Sequence, residues 1–371
     1  MLQKLTLIIL ILIYFSFLSL GQQKDVICLN KFDGNSISSI GNLMMNNKIL
    51  LIGENHEVAL NYILYYHLIK NLSEEHDVKN ILIEKGISDA YLINKYMESG
   101  NEEYLQNMFF TNEGLTLFKK LFVYNRKLPH NKKIKFIGVD AESGSCLKML
   151  KIILGTMDSI SPEFKEFKSL LDNKEHWYGR KITDILKEVK SFVLSHEHVF
   201  HYKLKTDDYN WLMMVIQNEA DRLKPSLRNK KMFNNFSRYD KTYPNEQYFG
   251  FLGQNHTDLR GRSFAFLINE RLKDFKSLTS VINIHYENSY YLNWFTGHRE
   301  EIKVPLINEI INNKRMRKKI IAYLKNDSPC EIILAKTTSI PFDNINELKK
   351  SSQHILYFEN QDAASGIATI K

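Results

Sequence analysis

The chain has 371 residues, an ordinary apolar share of 44 % and a formal net charge of +8. That balance excludes a disordered chain, a coiled coil and a collagen-like repeat. The lysines are scattered, and the densest basic run, Lys314–Arg315–Met316–Arg317–Lys318–Lys319, sits in a helical pattern with Ile320, Ile321 and Leu324. It predicts a solvated helix face and no nucleic-acid partner.

At the start, Lys4 precedes an apolar run over residues 5–20, and Gly21–Gln22–Gln23 follow. One early charge, a short apolar core and a small-residue exit predict a signal peptide over residues 1–21. The run is short for a membrane-spanning helix, which needs about 20 apolar residues. The expectation is therefore an extracytoplasmic protein, periplasmic or secreted, with no membrane span after cleavage. Cys28, Cys146 and Cys330 are few, distant and odd in number. They permit at most one disulfide, so the core must hold the fold.

A strand over 48–52 leads into a helix over 58–75, where Leu60, Ile63, Leu64, His67, Leu68 and Leu72 recur at helical spacing. A strand over 80–83 follows, then a helix capped by Ser88 and ended by Gly100. A helix over 113–127 stops at Pro129, and a strand over 135–139 comes next. Strands alternating with helices imply right-handed crossovers and a parallel sheet. Residues 145–245 read as a helical insertion or cap, with helices over 147–154, 162–171, 182–194 and 209–223. The sheet resumes at 248–252. A helix over 264–272, a strand over 279–285, a helix within 302–324 and strands over 331–335 and 354–358 complete it. The prediction is one α/β domain over 22–371, with a mostly parallel central sheet and helices on both faces.

Four of these strands end in polar residues that the fold alone does not require. They run into Gly53–Glu54–Asn55–His56, Glu84, Asp140 and Gly253–Gln254–Asn255–His256. In open α/β sheets, ligands gather at the carboxyl ends of the strands. Glu54, His56, Glu84 and His256 are therefore the candidate catalytic set. Such a set supports water activation by an imidazole that a carboxylate orients. It also supports a divalent metal held by His56, Glu84 and His256. Arg126, Asp140, Arg238 and His285 are the candidate supporting residues. His196, His198 and His201 cluster in a helix without an acidic partner at clear spacing.

In their order, these motifs resemble the erythromycin-esterase-like superfamily, which also includes haem-uptake ChaN-like and Tiki/TraB proteins. The resemblance rests on Leu51–Ile52–Gly53–Glu54–Asn55–His56, on Ile81–Leu82–Ile83–Glu84, on Tyr124–Asn125–Arg126 with Phe136–Ile137–Gly138–Val139–Asp140, and on Phe251–Leu252–Gly253–Gln254–Asn255–His256. The first motif is one residue shorter than the Gly–Glu–x–x–His of the esterase branch and closer to the haem-uptake branch. The last motif carries one His rather than two. The resemblance implies a sheet with helices on both faces, a cleft at the strand tips, and hydrolytic chemistry on a small-molecule substrate. On that reading His56 is the general base, Glu54 or Glu84 orients it, and His256 assists the leaving group or polarises the carbonyl. The other expectation is a protein that binds haem or a metal in the same cleft without turnover.

Overall fold

The computed structural model describes residues 26–29, 34–106, 108, 111–155, 157, 162–172, 182–218, 225–293, 296–302, 310–311, 313–325, 332–342 and 345–366. The expected signal peptide and Cys330 lie outside the described residues. Among those residues Cys28 is disulfide-bonded, while Cys146 is a buried free thiol.

The strands are β1 (Val26–Cys28), β2 (Ile49–Glu54), β3 (Asn80–Gly86), β4 (Lys135–Asp140), β5 (Tyr248–Gly253), β6 (Thr279–Glu287), β7 (Tyr290–Asn293), β8 (His298–Glu301), β9 (Ile332–Lys336) and β10 (His354–Glu359). Eight of them form one sheet in the order β1-β9-β10-β6-β2-β5-β3-β4, and β7 pairs with β8 as a separate antiparallel ribbon. Pairings from β10 across to β4 are parallel, and β9 runs against its neighbours. The protein is thus α/β with a mostly parallel central sheet, as its alternating elements predict. All six residues of β2 are buried, as a central parallel strand covered on both faces requires.

The order in which strands enter the sheet positions the site. β2, β3 and β4 are laid outward in one direction, β5 then inserts between β2 and β3, and β6 joins the far side of β2. The carboxyl ends of β2, β5, β3 and β4 consequently lie side by side, at the place where such sheets bind ligands.

The helices are α1 (Gly34–Gly41), α2 (Ala59–Glu75), α3 (Ile87–Ser99), α4 (Asn112–Lys127), α5 (Ser145–Gly155), α6 (Pro162–Asp172), α7 (Ile182–Ser195), α8 (Glu197–Lys203), α9 (Thr206–Gln217), α10 (Pro225–Thr242), α11 (Gln254–Thr257), α12 (Phe264–Arg271), α13 (Lys314–Lys325) and α14 (Asn346–Ser351). Two boundaries differ from the sequence expectation. α3 is capped at Gly86, whose N–H donates to Asp89 (3.1 Å), so Ser88 lies inside the first turn. The other end of α3 is as expected, with Gly100 at a left-handed φ of 75°. The helix expected over 209–223 ends at Gln217, and α10 follows as a separate helix with Pro225 at its first position. α10 lies on β4, burying Met232, Phe236 and Tyr239, while Asn235 donates to the Val139 carbonyl (3.0 Å). On α13, Ile320 and Leu324 are buried and Lys318 and Lys319 are exposed, the solvated face that the charge pattern predicts.

Candidate active site

Glu54 closes β2, and the chain leaves the sheet there. A Cβ on Gly53 would collide with Thr257 Oγ1 and Asn283 Oδ1, so the close approach of β6 and α11 to this strand tip requires glycine. The Glu54 carboxylate is nearly buried. Its Oε1 meets His56 Nδ1 at 2.8 Å, and its Oε2 accepts from Asn61 Nδ2. Asn61, two residues into α2, also donates to the Asn55 carbonyl (2.8 Å) and accepts from the Tyr286 hydroxyl (2.8 Å). Residues from β2, α2 and β6 therefore fix the carboxylate that fixes the imidazole.

Glu84 stands on β3 where its pairing with β4 shifts register, between Ile83 and Gly86. Its Oε2 accepts the Gly253 N–H (2.7 Å) and lies 3.5 Å from His56 Nε2. Its Oε1 lies 3.2 Å from His256 Nε2 and accepts from Arg228 Nη2 (2.7 Å). Arg228 continues to Asp140, with Nε on Oδ1 at 2.9 Å and Nη2 on Oδ2. The second nitrogen of His256 meets Asn229 Oδ1 at 2.5 Å. The four strand tips thus meet in one hydrogen-bonded network, with Glu84 at its centre.

The network sets the charge of His56. Burial alone would lower its pKa, but the carboxylates of Glu84 and Glu54 outweigh that and hold it well above the ordinary imidazole value. Burial would raise the Glu84 pKa, yet the imidazoles of His56 and His256 keep this carboxyl well below its ordinary range. Half of the His56 side-chain surface (50 %) remains open, whereas His256 is 6 % exposed and lies behind Glu84.

His56 opens into a cleft of about 190 Å³ whose polar lining includes Glu54, Glu57, Glu84 and Tyr62. Its apolar wall includes Tyr65, Phe118 and Phe251, and the rings of Tyr65 and Phe251 stack 4.1 Å apart. Drug-sized ligand sites occupy roughly 300–1,000 Å³. This cleft therefore admits a small acyl or alkyl group, or one end of a larger molecule.

Of the residues singled out in the sequence, Glu54, His56, Glu84, Asp140 and His256 come together. Arg126, Arg238 and His285 do not join them. Arg126 lies over the Phe122 ring (5.9 Å) and lines a different pocket with Trp211 and Tyr243. Arg238 is on α10 and donates to the Met214 carbonyl (3.5 Å). His285 is fully buried, 3.4 Å from Glu287 and against the Tyr357 ring, and burial lowers its pKa. His196 packs on Phe164 and Phe192. The guanidinium of the site is instead Arg228, three residues after Pro225. Asn61, Asn229 and Tyr286 were also missed. A signal that could have found Arg228 and Asn229 is Pro225, because proline is tolerated at the first position of a helix.

The residues do not fit a metal ion. Among the described residues no group of three or more His, Cys, Asp or Glu side chains is arranged to hold one. The two Glu84 oxygens are already directed at two imidazoles, a peptide N–H and the positive Arg228.

No known protein family matches the chain, and no curated protein matches it. Solved structures do match. A succinoglycan biosynthesis protein aligns at TM-score 0.63 and 14 % identity, covering 92 % of this chain and 96 % of that one. A protein from Bacillus cereus aligns at 0.59 and 15 %, covering 92 % and 97 %. A histidine-to-asparagine mutant of the erythromycin esterase EreC, in its open conformation, aligns at 0.60 and 15 %, covering 93 % and 100 %. At these identities the likeness establishes the fold. The chain shares the architecture of these proteins, an erythromycin esterase among them, over more than nine-tenths of its length, as its strand-tip motifs implied.

Proposed function

We propose that the protein is an exported hydrolase that cleaves an ester or related acyl bond of a small molecule by attack of water. One observation carries the reading: His56, gripped by Glu54 and Glu84, is open to a cleft whose other walls are largely apolar. An imidazole oriented by a carboxylate and facing a substrate-sized cavity is an arrangement for proton transfer. The sequence led to the expectation that His56 is the base. The two carboxylates that flank it favour the opposite role, because a ring with so raised a pKa enters the reaction as imidazolium. In that form Nε2–H polarises the carbonyl and then protonates the leaving oxygen, and Glu54 and Glu84 stabilise the charge. His256, behind Glu84 and outside the cleft, positions that carboxylate. Arg228 ties Glu84 to Asp140.

Export is supported by the apolar run over residues 5–20 and by the disulfide at Cys28, a bond that persists in oxidising compartments. Among the described residues no helix is long and apolar enough to cross a membrane.

The test is turnover of short acyl esters and lactones by purified protein, with His56→Ala and Glu84→Gln as controls. The reading requires turnover that falls at least about 100-fold in His56→Ala, the usual scale for general acid–base groups. A wild type without activity on the panel, or variants equal to it, defeats the proposal.

A further inference from the structure

We propose that Glu57 is the general base of this hydrolysis, activating the attacking water while His56 protonates the leaving oxygen; the inference rests on the hydrolase reading above. Glu57 follows His56 directly and lines the same cleft. Its backbone φ is 61°, the left-handed region that a side chain other than glycine adopts at a cost. Such strain persists where the surroundings over-determine it, and it gathers at functional sites. Here the surroundings are visible. The Glu57 carbonyl accepts the N–H of Leu292 (3.1 Å) from β7 and of Ala364 (2.9 Å) from the segment after β10. That segment also pairs Ala363 with Val58, and Asp362 accepts the Ala59 N–H (3.0 Å). Two separate pieces of chain therefore clamp one residue in an unfavourable conformation on the cleft wall.

The carboxyl group is prepared on one side. Its Oε2 accepts from the Tyr62 hydroxyl, and the Tyr62 oxygen accepts from Thr111 Oγ1 (3.1 Å). Oε1 accepts no hydrogen bond from any described residue. A brace for the turn would use both oxygens or pair with a cation. A base needs one oxygen held and one left for water. Burial raises the Glu57 pKa above the ordinary carboxyl value; the Tyr62 hydroxyl opposes that rise, the Glu54 carboxylate adds to it, and His56 and Lys85, which line the same cleft, oppose it, Lys85 donating to the Met108 carbonyl (2.8 Å). Glu57 keeps a partner on one oxygen and His56 is flanked by two carboxylates, an arrangement that favours a base beside an acid.

The step balances. Glu57 Oε1 takes a proton from water as the water oxygen attacks the acyl carbon, and the carbonyl π pair moves onto oxygen. Collapse of that intermediate re-forms the carbonyl and breaks the bond to the leaving oxygen, which takes the proton from His56 Nε2. The proton on Glu57 returns to His56 through solvent. Ester and water become carboxylic acid and alcohol.

The experiment is the pH profile of kcat/KM for the wild type on the best ester of the panel, with Glu57→Gln and Tyr62→Phe alongside. The expected wild-type profile rises through a carboxyl midpoint above 4.5 and falls through an imidazole midpoint above 6.5. Glu57→Gln should lose about 100-fold or more in kcat with little change in KM, and lose the acidic limb. Tyr62→Phe should move that limb to higher pH, because the hydroxyl stabilises the carboxylate. A merely structural Glu57 would leave the limb in place. Activity that only rises through the imidazole range makes His56 the base and overturns the proposal, even where Glu57→Gln fails to fold. Full activity in Glu57→Gln overturns this role alone, whereas a wild type inactive on every ester removes the hydrolase reading and this role with it.

Discussion

Replacing Arg228 by Met should weaken the fold and the site together. Arg228 spans two carboxylates from different strands, with two contacts to Asp140 and one to Glu84. The Glu84 and Asp140 side chains are only 10 % and 15 % exposed, so removing the guanidinium strands Asp140 and takes one partner from Glu84, which keeps the Gly253 N–H and the two imidazoles. Leaving a buried acceptor unsatisfied costs about 1–3 kcal/mol, and more when it is charged. Arg228 itself is 33 % exposed, so water enters part of the gap and moderates the loss. The expected destabilisation is about 3 kcal/mol near neutral pH, read from the denaturant midpoint of purified wild type and variant. Its pH dependence has a definite sign. The Glu84 pKa is depressed in the folded protein, so its share of the stability is complete above the unfolded value near 4.5 and is lost as pH falls toward the folded value. His56 and His256 hold that pKa down, so Arg228→Met should keep this loss in acid. Asp140→Asn should cost less in the Arg228→Met background than in the wild type, with a coupling of roughly 1–2 kcal/mol. A loss below about 1 kcal/mol, or additive single and double variants, would refute the view that Arg228 ties these strand tips together.

Three further outcomes follow. Gly53→Ala forces a Cβ into Thr257 Oγ1 and Asn283 Oδ1, so it should lower stability by about 1–3 kcal/mol and displace Glu54; an unchanged midpoint would refute the close approach. Glu142 is buried at the start of α3, where it accepts from Ile87 N–H (3.0 Å), Ser88 N–H (3.1 Å) and Asn218 (2.7 Å). Burial pushes its pKa up to about 7, so its contribution is complete below about 4.5 and is lost as pH rises through 7, a span of about 3 kcal/mol. Glu142→Gln should remove that slope from the stability curve between pH 5 and 8, and an identical slope in both proteins would count against it. Asn61→Ala should free Glu54 and cut kcat by about tenfold or more while KM holds, since misorienting a positioned group costs rate before binding; equal kcat values would show that Asn61 does not position it.

Much of this arrangement is legible in the sequence, because strand tips are local. Apolar runs that end in Glu54, Glu84, Asp140 and Gly253 announce both the strand and the polar group it delivers. The parallel order then needs only alternation with helices. What the sequence hid depends on long-range packing. α10 is polar over most of its length, so its apolar stripe of Met232, Phe236 and Tyr239 is thin. Arg228 was hidden with it, and Arg238, ten residues on, was chosen in its place. β9 carries the same apolar pattern as the parallel strands of the sheet, and nothing in that pattern records direction. Tyr286 reaches Asn61 across 225 residues of chain, a separation that no periodicity reports. The charge on the His56 ring was hidden for a spatial reason too, since it depends on how closely Glu84 approaches from another strand.

The most direct test of the account is the pH titration of the His56 ring, followed by NMR in protein labelled at histidine. The account predicts a midpoint above the ordinary 6.5 that drops in Glu84→Gln and again when Glu54→Gln is added. A midpoint at or below 6.5, or one indifferent to both substitutions, would contradict the claim that two carboxylates hold His56 charged at the mouth of the cleft.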